Sequence, residues 1–271
     1  MTITARARAR AERWVWLFFR GQYLKGRFSA TPFRYSVLRG NEALVLMCLW
    51  NRPTRIRNVL DLLNSQDHPD GVRLFLWNNN RRDHDTYLHA LREYEADGGA
   101  LSRVDFVTSP INFGSISRYF WARKIAVTRP EAPVIVIDDD EDITPAFVRE
   151  TLVQYDPAAV TAWWAWTVGE TYWDRTPAGV NDRVDHIGPG GSVCAAGIFL
   201  DDAFFTGIPD EFRLLDDIWL TYYATNHGLR LKKLEADISF VMDETNQFHD
   251  QIDLKPRFFE LLYGNKGSAA G

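Results

Sequence analysis

The sequence predicts an α/β fold, a mostly parallel sheet with helices on both faces, and three observations carry that prediction. Continuous apolar runs recur along the chain at 43–49, 72–77 and 134–137, as expected for strands buried on both faces. Segments of helical spacing separate them, the alternation that gives a parallel sheet. The chain has 271 residues, 46% hydrophobic and 25% charged, an ordinary globular composition with enough length for one sizeable core.

Each element follows in order. The run ALVLMCL at 43–49 stops at Trp50-Asn51-Arg52-Pro53 and is the first strand of the sheet. Residues 54–66 place Ile56, Val59, Leu60, Leu62 and Leu63 at helical spacing, and VRLFLW at 72–77 is a second strand ending in Asn78-Asn79-Asn80. A helix over 85–97, a short strand over 104–108 and a helix over 115–128 follow, the last after the turn Asn112-Phe113-Gly114. VIVI at 134–137 is the fourth strand and runs into Asp138-Asp139-Asp140-Glu141-Asp142. In open sheets of this kind the ligand lies beyond the carboxyl ends of the strands, where this sequence gathers amides and carboxylates.

After residue 150 the character changes. Residues 159–168 are rich in Trp, Gly188-Pro189-Gly190-Gly191-Ser192 precedes an apolar strand over 194–200, and a helix around 214–223 carries Asp216 and Asp217 in its first turn, where the helix dipole favours acids. Short strands over 229–234 and 238–241, a polar loop with His249 and a final amphipathic helix complete the chain. We read residues 1–40 as a basic arm and 41–271 as a single domain with halves 41–150 and 151–271.

The net charge of -5 is unevenly distributed. Up to residue 40 there are nine basic residues against Glu12 alone, a balance of +8, and the remainder carries -13. The arm sets Trp14, Trp16, Phe18 and Phe19 beside these cations, which suits docking on the acidic body or a partner, or an anionic membrane surface. The two cysteines, Cys48 and Cys194, lie far apart in apolar runs and form neither a disulfide framework nor a zinc motif, as in a reducing, cytoplasmic compartment. No apolar stretch approaches the roughly 20 residues of a membrane span. The glycine run lacks the Lys of a phosphate loop, and no nucleophile elbow occurs, so P-loop and serine-hydrolase chemistry are unsupported.

Five acids at one strand end repel one another, and a divalent cation with oxygen ligands relieves such crowding. The plainer alternative is a solvated turn in which Asp142 or Thr144 caps the helix after Pro145.

An apolar strand ending in Asp138-Asp139-Asp140, preceded by strand-Asn-Arg-Pro, strand-Trp-Asn-Asn-Asn and Asn112-x-Gly114-x-x-x-Arg118-x-x-x-Ala122, resembles the GT-A glycosyltransferases with their Asp-x-Asp (DXD) motif. Asp216-Asp217-Ile-Trp is similar to that family's second acidic motif, and the likeness spans roughly residues 42–250. The resemblance implies a Rossmann-like sheet with a smaller acceptor-side sheet, residues 41–150 forming the nucleotide-sugar half and 151–271 the acceptor side. It implies that Asp138, Asp140 and His249 hold Mn2+ or Mg2+. It further implies that Asn51, Arg52, Asn79, Arg118, Asp138 and Asp139 line the donor nucleotide. On the acceptor side it points to Asp217 as the base, with Asp216, Trp219, Gly190 and Gly191 around the acceptor. Each has a plain alternative: Asn after a strand forms turns, helical Arg is commonly a solvated charge, and Trp is commonly core.

The expected activity is metal-dependent transfer of one sugar from a UDP- or GDP-sugar to a hydroxyl or amide of a glycan, lipid, protein or modified base. An inverting course is expected from a base in the second acidic motif, and a non-processive one because Gln-x-x-Arg-Trp is absent. Two alternatives stay open: a nucleotidyltransferase and a non-catalytic sugar- or nucleotide-binding module.

Overall fold

The computed structural model describes residues 3–241 and 251–264. It opens with helix α1 (Ile3–Leu24), followed by strand β1 (Thr31–Arg34). Then come β2 (Ala43–Leu49), α2 (Ile56–Asn64), β3 (Val72–Asn78), α3 (His84–Arg92), β4 (Leu101–Thr108), α4 (Tyr119–Ala126), β5 (Pro133–Val136), β6 (Glu141–Ile143) and α5 (Phe147–Val153). The remainder comprises β7 (Ala159–Ala162), β8 (Ala165–Val168), β9 (Arg175–Pro177), β10 (His186–Ile187), β11 (Ser192–Ala195), α6 (Asp202–Thr206), α7 (Asp216–Asn226), β12 (Arg230–Lys233), β13 (Ile238–Phe240) and α8 (Leu254–Tyr263).

Eight strands form one sheet in the order β1-β4-β3-β2-β5-β11-β7-β12. Its centre, β4-β3-β2-β5, is parallel, as the apolar runs predict, because each of these strands is covered on both faces. β1 and β11 run antiparallel to this centre; β7 pairs antiparallel with β11 and so runs in the direction of the centre, and β12 lies parallel to β7. Two small antiparallel sheets accompany it: β10-β8-β9 lies within residues 151–271, and β13-β6 pairs one strand from each half.

One face of the sheet packs against α2, α3 and α5 through Ile56, Val59, Leu60, Leu63, Tyr87, Leu91, Phe147 and Val148. Ile56, Val59, Leu60 and Leu63 recur at three- and four-residue steps and so fall on one side of α2; burying each contributes roughly 1.5–3 kcal/mol. The other face packs against α4 and α7 through Tyr119, Phe120, Trp121, Ile218, Leu220 and Tyr223, with Phe258 of α8 in the same cluster. Trp16 and Tyr23 of α1 join this second cluster, and Tyr23 meets Trp77, Phe113 and Phe120 edge-on. The basic arm thus contributes a helix and a sheet strand to the body.

Three expectations for single elements differ from what is observed. The apolar run after residue 194 continues as strand only to Ala195 and turns into a 3-10 segment at Ala196–Leu200, where Phe199 stacks on Tyr119. The helix expected over 85–97 stops at Arg92, and Tyr94 and Ala96 pack in the loop beyond it. Glu141 and Asp142 belong to β6 and pair with Phe240 and Ser239, so the five acids do not share one turn.

Candidate active site

The parallel strands end in register. Asn79 N donates to Leu49 O at 3.1 Å and Ile137 N to Leu46 O at 3.2 Å, so the residues after β2, β3 and β5 reach one edge together. A cavity of about 280 Å³ opens there. Arg52, Asn79, Asp138, Asp139 and Asp140 line it from the strand ends, Arg118 from the 3-10 turn before α4, and Asp216 and Asp217 from the start of α7. Most of the residues singled out from sequence therefore converge. Asn51, Gly190, Gly191 and Trp219 do not line the cavity, and His249 lies outside the described residues.

The backbone at the cavity is held in uncommon conformations. Asn51 has φ 58°, a left-handed geometry that Asn tolerates better than most residues, and accepts a hydrogen bond from Asn80 Nδ2 at 2.6 Å. Gly114 has φ 74°, and a Cβ there would also meet Leu214 Cδ2 at 2.6 Å. Asn79 fixes this turn, donating to Gly114 O at 2.9 Å and Ser117 Oγ at 3.1 Å and accepting from Phe113 N. The amide expected to contact nucleotide thus also holds the loop that presents Ser115 and Arg118.

The acids after β5 are sorted by the cations around them. Asp139 is buried, accepting from Arg52 Nη1 at 2.6 Å and from Trp50 N at 3.2 Å; burial pushes its carboxyl up against these donors. Asp140 is 3.1 Å from the same Arg52 Nη1, yet burial and the charges of Asp138 and Asp139 raise it to about 7. Asp138 accepts from Arg118 Nη1 at 2.5 Å. Glu141 turns inward, accepting from Asp138 N at 3.0 Å and Trp164 Nε1 at 3.1 Å, and burial raises it well above the usual range. Asp142 leaves the site for Arg55 and Asn58. A Cβ on Gly190 would strike Glu141 Oε1 and Asp138 Oδ2, so the glycine makes room for carboxylates.

Arg118 joins the two acidic groups. It is fully buried, pairs with Asp138 and lies 3.4 Å from Asp216 Oδ2; burial opposes its charge, but the two carboxylates raise it well above the ordinary value.

At α7, Asp216 and Asp217 point about 100° apart, as neighbours on a helix must. Asp216 accepts from Ser115 Oγ and faces Arg118, and burial raises it to about 6 despite them. Asp217 pairs with Lys255 Nζ at 2.6 Å and accepts from Tyr172 Oη at 3.4 Å. Burial would raise Asp217, but Lys255, together with His186 and the Ile218 backbone N–H, lowers the carboxyl to about 2. Trp219 donates from Nε1 to Phe204 O at 2.6 Å and packs in the core.

Sequence reasoning did not single out Lys255, Ser115, Cys48 or Trp50, which also line the cavity. Ser115 follows the Asn-x-Gly turn and was findable from that motif; Lys255 stands on a surface-like helix with no motif around it. Cys48 donates to Ser115 O at 3.4 Å, and burial pushes its thiol up to about 11, so it is no thiolate nucleophile at neutral pH.

Among the described residues no three His, Cys, Asp or Glu side chains gather to hold a metal ion by themselves. Asp138 and Asp140 nevertheless suit a hard divalent cation whose remaining ligands are a substrate's oxygens: burial together with the neighbouring carboxylates lifts Asp140 to about 7, and such a cation relieves the part due to crowded charge.

No protein-family model matches this chain, nor does any curated protein sequence. Among solved structures it is similar to the mannosyltransferase PcManGT from Pyrobaculum calidifontis, a complex with GDP-Man and Mn2+, at 15% identity and a TM-score of 0.50, over 99% of this chain and 75% of that one. It also matches S. aureus TarS at 14% identity and a TM-score of 0.49, covering 79% of this chain and only 38% of that one. The parallel centre of the sheet, the helices on both faces and the likeness to PcManGT agree: this chain has a GT-A-like glycosyltransferase fold.

Proposed function

We propose that this protein is a glycosyltransferase that moves one sugar from a nucleotide diphosphate sugar to an acceptor hydroxyl or amide, with inversion and without processivity. The convergence of Asp138–Asp140, Arg52 and Arg118 with Asp216 and Asp217 around one cavity at the carboxyl edge of a GT-A-like sheet carries this reading. The GDP-Man and Mn2+ in the PcManGT structure support a GDP- or UDP-sugar and a divalent ion. Asp138 and Asp140 would hold such an ion, which when bound would supply charge to neutralise the leaving diphosphate. Asn79 and Arg52 line the nucleotide side.

In the transfer, an acceptor oxygen or nitrogen forms a bond to the anomeric carbon as the bond to the β-phosphate oxygen breaks, and the acceptor proton passes to a carboxylate. Sequence resemblance favours Asp217 for that proton. Its pairing with Lys255 makes it a weak base, whereas Asp216, raised to about 6 by burial, takes up a proton more readily. We therefore assign Asp216 the base and Asp217 the anchoring of Lys255 at the cavity wall.

Titration of UDP- and GDP-sugars with and without Mn2+, followed by a donor-hydrolysis assay, tests this function. One donor binds and turns over, EDTA reduces turnover to background, and Asp140→Ala abolishes the metal-dependent part of binding. Full turnover in EDTA removes the metal; binding without turnover on any donor favours a non-catalytic module.

A further inference from the structure

Helix α1 carries aromatic residues on two opposite sides, and the body covers one of them. Trp16 and Tyr23 are 6% and 5% exposed and sit in the core cluster. At about 100° per residue, Trp14 and Phe18 fall on the far side of the helix. They are 67% and 60% exposed, with exposed Arg10 one turn earlier and exposed Val15 beside them. Arg13, paired with Asp210 at 2.6 Å, helps to hold the helix in this orientation.

Charge and area together indicate what covers this side. Residues 1–40 carry +8 and the rest of the chain -13, so an anionic surface attracts the α1 side and repels the body, which presents α1 first. A stable protein partner buries roughly 800 Å² on each side. Three apolar side chains on a convex helix fall short of that, but Trp and Phe among cations suffice for adsorption at the headgroup level. A cavity of about 510 Å³ beside the same helix adds an independent observation: Arg27, Arg81 and His84 line it together with Phe19 and Phe28, and no acidic residue does. Cations around an aromatic hollow match a phosphate headgroup and the start of its chain.

We propose that α1 seats this protein on an anionic phospholipid surface, with Trp14 and Phe18 entering the headgroup layer and the Arg27–Arg81 cavity facing the lipid phosphates. The test is co-sedimentation of the full chain with vesicles of phosphatidylcholine alone and of equal parts phosphatidylcholine and phosphatidylglycerol. The intact chain pellets with the anionic vesicles only, and added salt releases it. Trp14→Ser with Phe18→Ser lowers the partition coefficient by about tenfold or more, with the melting temperature unchanged because both side chains are exposed. Arg27→Glu with Arg81→Glu also weakens binding and flattens its salt dependence, and it decides the matter alone if the first variant fails to melt cooperatively. Absence of the intact chain from the anionic pellet overturns the proposal. So does unchanged vesicle binding in both variants, or a dimer seen by light scattering that the Trp14 and Phe18 changes disperse while leaving vesicle binding intact.

Discussion

The acids after β5 and the acids opening α7 face one cavity but are neutralised differently. After β5, three consecutive aspartates share two guanidinium groups, and Asp140 keeps a proton affinity raised by burial and by Asp138 and Asp139, which Arg52, nearer to Asp139, only partly offsets. At α7, two consecutive aspartates are turned toward different partners: Lys255 holds Asp217 at about 2, while Asp216 rises to about 6 beside an arginine already engaged by Asp138. Both regions are runs of consecutive aspartates, one after a strand and one opening a helix. The sharing of buried cations gives neighbouring aspartates different proton affinities, the contrast on which the proposed roles of Asp140, Asp216 and Asp217 rest.

The strongest way to break this contrast is to remove the cation common to both regions. Arg118→Met keeps much of the side-chain volume but leaves Asp138 and Asp216 without their shared partner, and it should destabilise the fold by about 3–5 kcal/mol in urea unfolding at neutral pH. Combining it with Asp216→Asn should cost less than the sum, because one of the two stranded charges is gone. Additive losses would mean that the two regions are independent.

The next effect separates the paired acids. Asp216→Asn should lower turnover by on the order of a hundredfold with donor affinity retained, and Asp217→Asn much less. In the intact enzyme the acid limb of the pH profile rises through about 6, because the carboxylate is the active form; in Asp216→Asn that limb disappears. The reverse ranking of the two variants would return the base to Asp217.

The smallest effect is a linkage. The folded-state value of Asp217 is depressed below that of the unfolded chain, so its contribution is present above about pH 4 and is lost as pH falls toward 2. Lys255→Met should remove on the order of 1–2 kcal/mol of that acid-dependent stability, read as a flatter melting temperature between pH 4 and about 2. An unchanged slope would show that the pair is solvated rather than buried.

The central strands were legible because continuous apolar runs leave few alternatives, and the strand ends then placed Arg52, Asn79 and Asp138–Asp140 on one edge. What the sequence could not convey was allocation. Asp139 and Asp140 read alike until Arg52 is seen nearer to one, and Asp216 and Asp217 read alike until Lys255 arrives from 38 residues further along the chain. Trp219 suggested a place beside the acceptor, yet its ring is buried in the core with the indole N–H on Phe204 O. Gly190 suggested room beside the acceptor, and the space it leaves is taken by Asp138 and Glu141.

The two edges of the large sheet are finished by different means, which bears on self-association. β12 ends one edge with Arg230, Lys232 and Lys233 among its four residues, and like charges keep another copy from pairing there. At the opposite edge β4 is long and mostly buried, and β1, a short strand bearing Pro32, occupies its hydrogen-bonding side. A chain cut back to residue 30 keeps that cover, whereas one cut to residue 41 bares a row of unpaired amides and carbonyls along an apolar strand, a template for intermolecular sheet growth. The segment before β2 therefore helps to determine whether the sheet stops at one molecule.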